Sequence, residues 1–266
     1  MQADAMVWTW GVHPQYRPMM EAHARAWADA LGAHYGGEAR RNSPFHLANR
    51  HLIVGALVNE AVIPARNVTV WFPEQPARSL PTAMGMAARG ARVLTCYRNY
   101  PGQHALISFF PAYYHPTFEA PSNGAPKTPL YFCGWPTERR EALVADLAQA
   151  PWFRWDREAV PYPRYLLQVA QSRCGLVMGS WEERLFYPVR IVCELLANGV
   201  TPLVERRYME GAYEDLLPYL VPFDSVSDLE GLAHDPGIHR IGRAGQAHVR
   251  KNYDLRHLVE TLHPLA

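Results

Sequence analysis

A helix that ends in a glycine turn and leads directly into a buried strand constrains the fold of this chain most. Residues 188–199 read PVRIVCELLANG, and the apolar run 200–204 follows at once. Pro188 suits the first helical turn and Gly199 suits the position just after the last turn, so the sequence defines both helix ends. Repetition of this order gives a doubly wound α/β domain, which binds ligands at the carboxyl ends of its strands and at helix N-termini.

The same order of strand and helix recurs along the chain and favours mostly parallel sheets. In the first half, the pattern predicts strands at 5–10, 67–72, 91–97 and 107–114, and helices at 16–31, 45–58 and 82–89. A proline-rich linker, 120–129, follows. Beyond it we predict strands at 130–133, 152–155, 175–178 and 200–204, and helices at 138–150, 162–172, 188–199, 244–251 and 255–262. The sequence therefore predicts two α/β domains, 1–120 and 121–266, with a cleft between them.

Composition excludes several classes of protein. The 266 residues carry a net charge of +1, which provides no general attraction for nucleic acid or an anionic membrane. The four cysteines show no zinc-site spacing and are typical of thiols in a reducing compartment. With no signal peptide pattern and no apolar run long enough to span a bilayer, we expect a cytoplasmic protein without a membrane span.

Three polar residues lie four apart on the otherwise apolar helix 188–199. Arg190, Glu194 and Asn198 therefore share one face. An intrahelical salt bridge between the first two is one interpretation, but it explains exposed pairs better than a line on a buried helix. The other interpretation is a ligand site, in which Glu194 accepts the hydroxyls of a ribose and Arg190 neutralises a diphosphate.

Two turns at the predicted carboxyl ends of strands have the residues of an anion site. Gly134 permits close backbone approach, Thr137 caps the next helix, and Arg140 supplies a cation beside the helix N-terminus. An ordinary capped helix with exposed arginines explains this turn equally well. Ser180, directly after Gly179, occupies the equivalent turn of a later strand, and two such turns in one domain favour a phosphate site.

The predicted first domain offers two candidates for a general base. Glu74 directly follows a strand and stands among prolines, and His13 follows the first strand. A solvated loop side chain is the alternative interpretation for each. The chain contains no P-loop, GxGxxG, GxSxG, HExxH or DxD sequence, so a metal-dependent site is not indicated.

The second half resembles the nucleotide-binding half of GT-B glycosyltransferases, and is most similar to the bacterial group that includes the CgeB-like spore-maturation proteins. The resemblance rests on the order of four segments: 130–147, 165–180, 187–205 and 241–262. In the first half, VTVWFPEQP (68–76) and PAYYHPTFE (111–119) resemble the strand end that contains the family's EQ pair and its proline-rich crossover. The resemblance implies two Rossmann-like domains that face a cleft, with an activated sugar held mainly by the second.

The resemblance also implies roles for individual residues. Glu194 would bind the donor ribose, Arg190 or Arg184 would face the diphosphate, and Gly134 would form the turn after the first strand of the second domain. Tyr187 stands where many retaining members carry a second glutamate, so that motif does not support retaining chemistry.

The sequence thus predicts a metal-independent glycosyltransferase that uses a nucleoside diphosphate sugar, with a UDP-sugar favoured, and no other cofactor. The acceptor would be a hydroxyl of a glycan, or of a modified nucleobase in DNA, although the overall charge argues against a long DNA footprint. Two alternatives remain open: a non-catalytic nucleotide-sugar-binding protein and a nucleotide-sugar epimerase. A salt-dependent gel shift with duplex DNA separates the two acceptor classes, and a turnover assay with nucleotide sugars separates an enzyme from a binding protein.

Overall fold

The structure is a computed structural model. It describes residues 3–10, 14–39, 48–55, 67–98, 100, 104–121, 125–158, 160–179 and 185–262. The chain forms two compact units: residues 1–112 together with 254–266, and residues 113–253. In the described residues, no helix has the length and apolar character needed to cross a membrane.

The first unit contains a parallel sheet. Its strand order is β2-β1-β3-β4-β5-β6, and every pairing is parallel. The strands are β1 (Ala3–Trp10), β2 (His34–Glu38), β3 (Ala48–Gly55), β4 (Val68–Phe72), β5 (Arg92–Thr95) and β6 (Ile107–Phe109). The helices are α1 (Arg17–Leu31), α2 (Pro76–Ala88) and α7 (Leu255–Thr261), and α7 packs on α1.

Two strands of the first unit, β2 and β3, were not predicted as strands. Residues 48–55, expected within a helix at 45–58, form strand β3 between β1 and β4. Five consecutive residues of β3, 51–55, are buried, because a central parallel strand is covered on both faces and loses the alternation that marks a strand. Strand β2 is absent from the prediction, because its two glycines are typical of a break rather than a strand. In the structure, a Cβ on Gly36 would lie 2.4 Å from Trp8 Cζ3, so this glycine permits close packing within the sheet.

The second unit contains a parallel sheet with the order β11-β10-β9-β7-β8. Its strands are β7 (Thr128–Cys133), β8 (Phe153–Asp156), β9 (Ser172–Val177), β10 (Thr201–Glu205) and β11 (Val221–Phe223). Its helices are α3 (Glu138–Val144), α4 (Tyr162–Ala170), the π-helix (Arg190–Leu195), α5 (Asp228–His234) and α6 (Ile238–Asn252). Its core is apolar and centres on strands β7, β9 and β10, with Leu130, Leu176 and Leu203 fully buried.

These two sheets confirm the predicted α/β class of two Rossmann-like units. The predicted domain boundary between 120 and 121 stays a prediction. The compact units divide after residue 112, and α7, which the sequence places in the second domain, lies in the first unit. Buried Leu255 contributes to this placement, because it gives α7 an apolar contact surface.

Candidate functional site

The strand order of the second unit defines a switch point. Strand β7 pairs with β8 on one side and with β9 on the other, so the chain reverses direction across the sheet at this position. Ligands of doubly wound domains bind outside the carboxyl ends of the strands at such a point. Gly134 follows β7 directly, and Met178 and Gly179 follow β9. Gly134 and Gly179 therefore lie where the fold favours a ligand.

Arg140 joins the two turns at this edge. Its guanidinium donates hydrogen bonds from Nη1 to Trp135 O (2.9 Å) and from Nη2 to Met178 O (3.1 Å). Burial lowers the pKa of Arg140 to about 10, with the charge of Arg190 acting in the same direction, yet the group stays cationic at neutral pH. Arg140 thus holds the turns together and contributes positive charge to this edge.

Gly134 and Thr137 shape the turn after β7. A Cβ on Gly134 would lie 2.8 Å from Phe132 Cζ and 3.0 Å from Arg140 Nη1, so glycine is required for this close packing. The backbone N–H of Arg140 donates to Thr137 Oγ1 (3.3 Å), which makes Thr137 the predicted cap of α3.

Arg190 begins the π-helix and lies beneath the end of β7. Its Nη1 donates to Cys133 O (2.7 Å), and the guanidinium lies 5.3 Å from the ring centre of Phe132 and 5.9 Å from that of Tyr165. The Nε and Nη2 atoms are buried and have no hydrogen-bond partner within the described residues. Buried polar groups normally have partners, so this guanidinium has the capacity to bind a ligand.

Glu194 lies on the same π-helix and is 5 % exposed. Its Oε2 accepts a hydrogen bond from the hydroxyl of Tyr165 at 2.6 Å, whereas Oε1 accepts none from the described residues. Burial raises the pKa of Glu194, although Arg190 and the Tyr165 hydroxyl oppose the rise. The side chain is therefore a buried carboxyl group with one oxygen available for a hydroxyl donor.

The predicted polar line separates into three different roles. Arg190 and Glu194 form no ion pair with each other, although both lie in the described part of the chain. Asn198 donates to Phe118 O (2.8 Å) and Glu194 O (2.7 Å) and accepts from Ala120 N (2.8 Å), so its amide is used within the fold. A π-helical turn changes the relative direction of side chains four apart, and such turns are frequent at functional sites.

Tyr165 is a polar contact of this site that the sequence does not predict, because the aromatic residues around it indicate core or interdomain packing, or stacking on a base. Its ring lies 6.2 Å from that of Tyr131, whose hydroxyl donates to Asp156 Oδ2 (2.9 Å). A buried tyrosine hydroxyl usually has a hydrogen-bond partner, so the sequence does indicate that Tyr165 needs one. The partner could not be identified there because it lies 29 residues away, on another helix.

Of the other predicted residues, one lies in the first unit and three lie outside the described residues. Glu74 belongs to the first unit, where it follows β4 and is partly buried, and its carbonyl accepts from Ser79 Oγ (3.3 Å). His13, Ser180 and Arg184 lie outside the described residues. The structure thus brings together Gly134, Thr137, Arg140, Arg190 and Glu194 in the second unit.

Comparison with known proteins identifies the fold. The chain has the GT-B fold of two Rossmann-like domains. A structure of the DNA-modifying enzyme β-glucosyltransferase, determined with and without uridine diphosphoglucose, is similar at a TM-score of 0.61, with 9% identity and 98% of each chain covered. T4 phage BGT in complex with UDP and Mn²⁺ matches at 0.56, with 9% identity over 97% of this chain and 99% of that chain.

Sucrose-phosphate synthase from Thermosynechococcus elongatus is also similar, with a TM-score of 0.57, 10% identity and 98% of each chain covered. No protein-family model matches the chain, and comparison with curated proteins gives no match. At these identities the likeness establishes the fold alone.

Proposed function

We propose that the protein is a glycosyltransferase that transfers a sugar from a nucleoside diphosphate sugar, with UDP as the favoured nucleotide, to a hydroxyl acceptor. The observation that carries the proposal is the buried Arg190 guanidinium, which has two unpartnered nitrogens at the switch point of the second sheet. Two donors at the edge of a planar cation suit a diphosphate oxygen. The fold shared with glycosyltransferases agrees with this chemistry.

Glu194 supplies the second part of the proposed donor site. Its Oε1 is available to accept a ribose hydroxyl, while the Tyr165 hydroxyl holds Oε2. In transfer, the acceptor oxygen would attack the anomeric carbon as the bond to the diphosphate oxygen breaks, and the nucleotide would leave with additional negative charge. Arg190 and Arg140 would offset this charge, because fixed cations stabilise charge that develops in a transition state. The predicted contributions of Gly134, Ser180 and Arg184 to the donor site remain part of this proposal.

Glu74 is our proposed general base for the acceptor hydroxyl, with His13 as the second candidate. In an inverting reaction, such a base would deprotonate the acceptor hydroxyl in a single displacement step. This proposal agrees with the presence of Tyr187 where many retaining members carry a second glutamate. A glycan hydroxyl and a hydroxylated nucleobase in DNA are both acceptors of the right chemistry, and the similar β-glucosyltransferase is described as DNA-modifying.

Metal independence is a further part of the proposal. In the described part of the chain, no three His, Cys, Asp or Glu side chains form a group that could hold a metal ion. The arginines could carry out the charge neutralisation that a divalent cation performs elsewhere. Because T4 phage BGT has been determined with Mn²⁺, the test is transfer measured in EDTA and in Mn²⁺, and we expect transfer to persist in EDTA. Cytoplasmic location also stays a proposal, supported by four free cysteines.

A thermal-shift screen with UDP, GDP, ADP, CMP and dTDP tests the donor site. A ligand that binds only the folded state raises the melting temperature, and we expect UDP to give the largest rise. Arg190→Gln should abolish the rise, whereas Arg164→Gln, an exposed arginine on α4, should preserve it. An equal response of the two variants would contradict the assignment of Arg190.

Turnover assays then separate an enzyme from a binding protein. With a UDP-sugar panel, a glycosyltransferase releases UDP and requires an acceptor for transfer. An epimerase converts the sugar with no acceptor, and a non-catalytic protein binds without turnover. Glycan and hydroxymethylated duplex DNA acceptors, assayed in parallel at several salt concentrations, distinguish the acceptor classes.

A further inference from the structure

A cavity lies at the opposite end of the strands of the second sheet from the proposed donor site. Ser172 at the start of β9 and Gly199 just before β10 line it, so it opens at the amino ends of the strands. Its volume is about 580 Å³, within the roughly 300–1,000 Å³ that is typical of small-molecule sites. The sequence does not predict this cavity, although Asn198 of the predicted polar line is among its lining residues.

Positive charge dominates the lining. Arg173, Arg243 and Arg250 contribute to it, and Glu119 is the acidic residue among the lining side chains. Arg250 Nη2 lies 2.8 Å from Glu119 Oε1, so this pair neutralises itself. Arg173 and Arg243 make no ion pair with any described residue, and two unpaired guanidinium groups thus remain at the cavity.

The neutral polar groups of the lining are used within the fold. Gln246 Nε2 donates to Ala197 O (2.7 Å), and Ser172 Oγ donates to Gln168 O (2.8 Å). These bonds also satisfy carbonyls at the ends of two helices, where free carbonyl groups would repel an anion. The arginines are therefore the principal groups available to a ligand.

Helix α6 presents part of this charge from a fixed position. His239, Arg243, Gln246 and Arg250 are spaced four, three and four residues apart, which places them on one face of α6. The residues of α6, IHRIGRAGQAHVRKN, include no Asp or Glu, so its like charges are not offset within the helix. Thr201 anchors this helix, because its Oγ1 donates to Ile238 O (2.7 Å) and accepts from Gly242 N (2.9 Å).

We propose that this cavity is a second binding site, distinct from the donor site, for a small molecule that carries phosphate groups. Guanidinium groups suit phosphate because their planar donors bind two oxygens at once. The concave shape and limited volume favour a small molecule over a nucleic acid, which needs an extended series of cations. The site goes beyond the proposed transfer reaction and does not depend on it.

Titration calorimetry with inorganic tripolyphosphate tests this site, with saturating UDP present to occupy the donor site. We expect the double variant Arg173→Gln/Arg243→Gln to weaken tripolyphosphate binding by at least about tenfold, because it removes two charged hydrogen-bond donors. Arg240→Gln is the matched control: it removes the same kind of charge from an exposed position of α6 that does not line the cavity. The affinity of Arg240→Gln for tripolyphosphate should stay within about twofold of that of the unmodified protein.

Two further measurements distinguish this site from the donor site and from a nucleic-acid-binding surface. Arg190→Gln should retain tripolyphosphate binding even if it abolishes UDP binding. The inference is overturned if the double variant binds as well as the unmodified protein, if Arg240→Gln loses as much affinity as the double variant, or if binding disappears in Arg190→Gln alone. Displacement of tripolyphosphate by a short duplex DNA at equal phosphate concentration would assign the surface to nucleic acid and would also overturn it.

Discussion

At the scale of single residues, Glu194 combines a proposed binding role with a cost in stability. Its carboxyl is buried, and burial raises its pKa. The folded state therefore holds the proton more tightly than the unfolded state, and stability falls as pH rises from the ordinary carboxyl pKa through the raised folded value. Above that window the protein carries a buried charge that a ligand hydroxyl could stabilise.

Glu194→Gln should therefore stabilise the ligand-free protein and weaken UDP binding. The amide removes the buried charge while its oxygen still accepts from Tyr165, so the melting temperature of the variant should rise relative to that of the unmodified protein as pH increases above the ordinary carboxyl pKa. UDP affinity should fall by about tenfold or more. Thermal unfolding over pH and calorimetry with UDP measure both effects. Glu230→Gln, at an exposed position of α5, should change neither, and undiminished UDP binding in Glu194→Gln would remove the ribose assignment.

Glu74 permits a separate test of the catalytic role. Glu74→Gln should retain UDP binding and lose transfer by about 10²-fold or more, because general base catalysis contributes roughly that factor. The same two assays on His13→Gln compare the other candidate. Transfer at the normal rate by Glu74→Gln would exclude it as the base, whereas loss of both binding and transfer would indicate a structural role.

At the scale of elements, the sequence predicts the helix ends better than the helix geometry. The expected helix 188–199 ends at Gly199, whose φ of 69° is the left-handed conformation that favours glycine. The π-helical turn within it has no comparable signal in the sequence. Its side chains contact Cys133 of β7 and Tyr165 of α4, which are distant along the chain. Elements that are buried on both faces appear in the sequence as apolar runs. Such runs identify core elements, which is why the predicted fold class is confirmed. They do not distinguish a strand from a helix, which is why β3 was predicted as a helix.

Helix α6 offers a matched pair of glycine substitutions. A Cβ on Gly242 would lie 2.5 Å from Gly199 O, a backbone atom, so Gly242→Ala must displace α6 from the start of β10. We expect a loss of about 1–3 kcal/mol in the free energy of unfolding, the usual cost of an overpacked core. Gly231, inside α5, has no atom within 4 Å of the position that an alanine methyl group would occupy, and Gly231→Ala should gain up to about 1 kcal/mol from helix propensity. Urea unfolding of both variants measures the difference, and equal effects would contradict the close packing of α6.

At the scale of the whole molecule, each compact unit has its own sheet and its own apolar core. The sequence predicts this division into two α/β units from the break in its strand and helix pattern. It does not predict that the chain returns to the first unit at residue 254, because the partner of α7 is α1, more than 200 residues earlier. Contacts of that separation leave no local signature in composition or periodicity.

Two cores lead to a prediction about thermal unfolding. The proposed donor residues Arg140, Arg190 and Glu194 all belong to the second unit, so UDP should stabilise that unit directly. At about 100 times its dissociation constant, a ligand adds about 2.7 kcal/mol to the state that binds it, which corresponds to a rise of roughly 9 °C in the melting temperature of a unit of this size. Differential scanning calorimetry should resolve two transitions, of which UDP moves one. Arg190→Gln should eliminate the movement, and Arg164→Gln should preserve it. Gly242 belongs to the second unit, so Gly242→Ala identifies the transition of that unit. If UDP shifted only the other transition, the nucleotide would bind the first unit, and the proposed donor site would be contradicted.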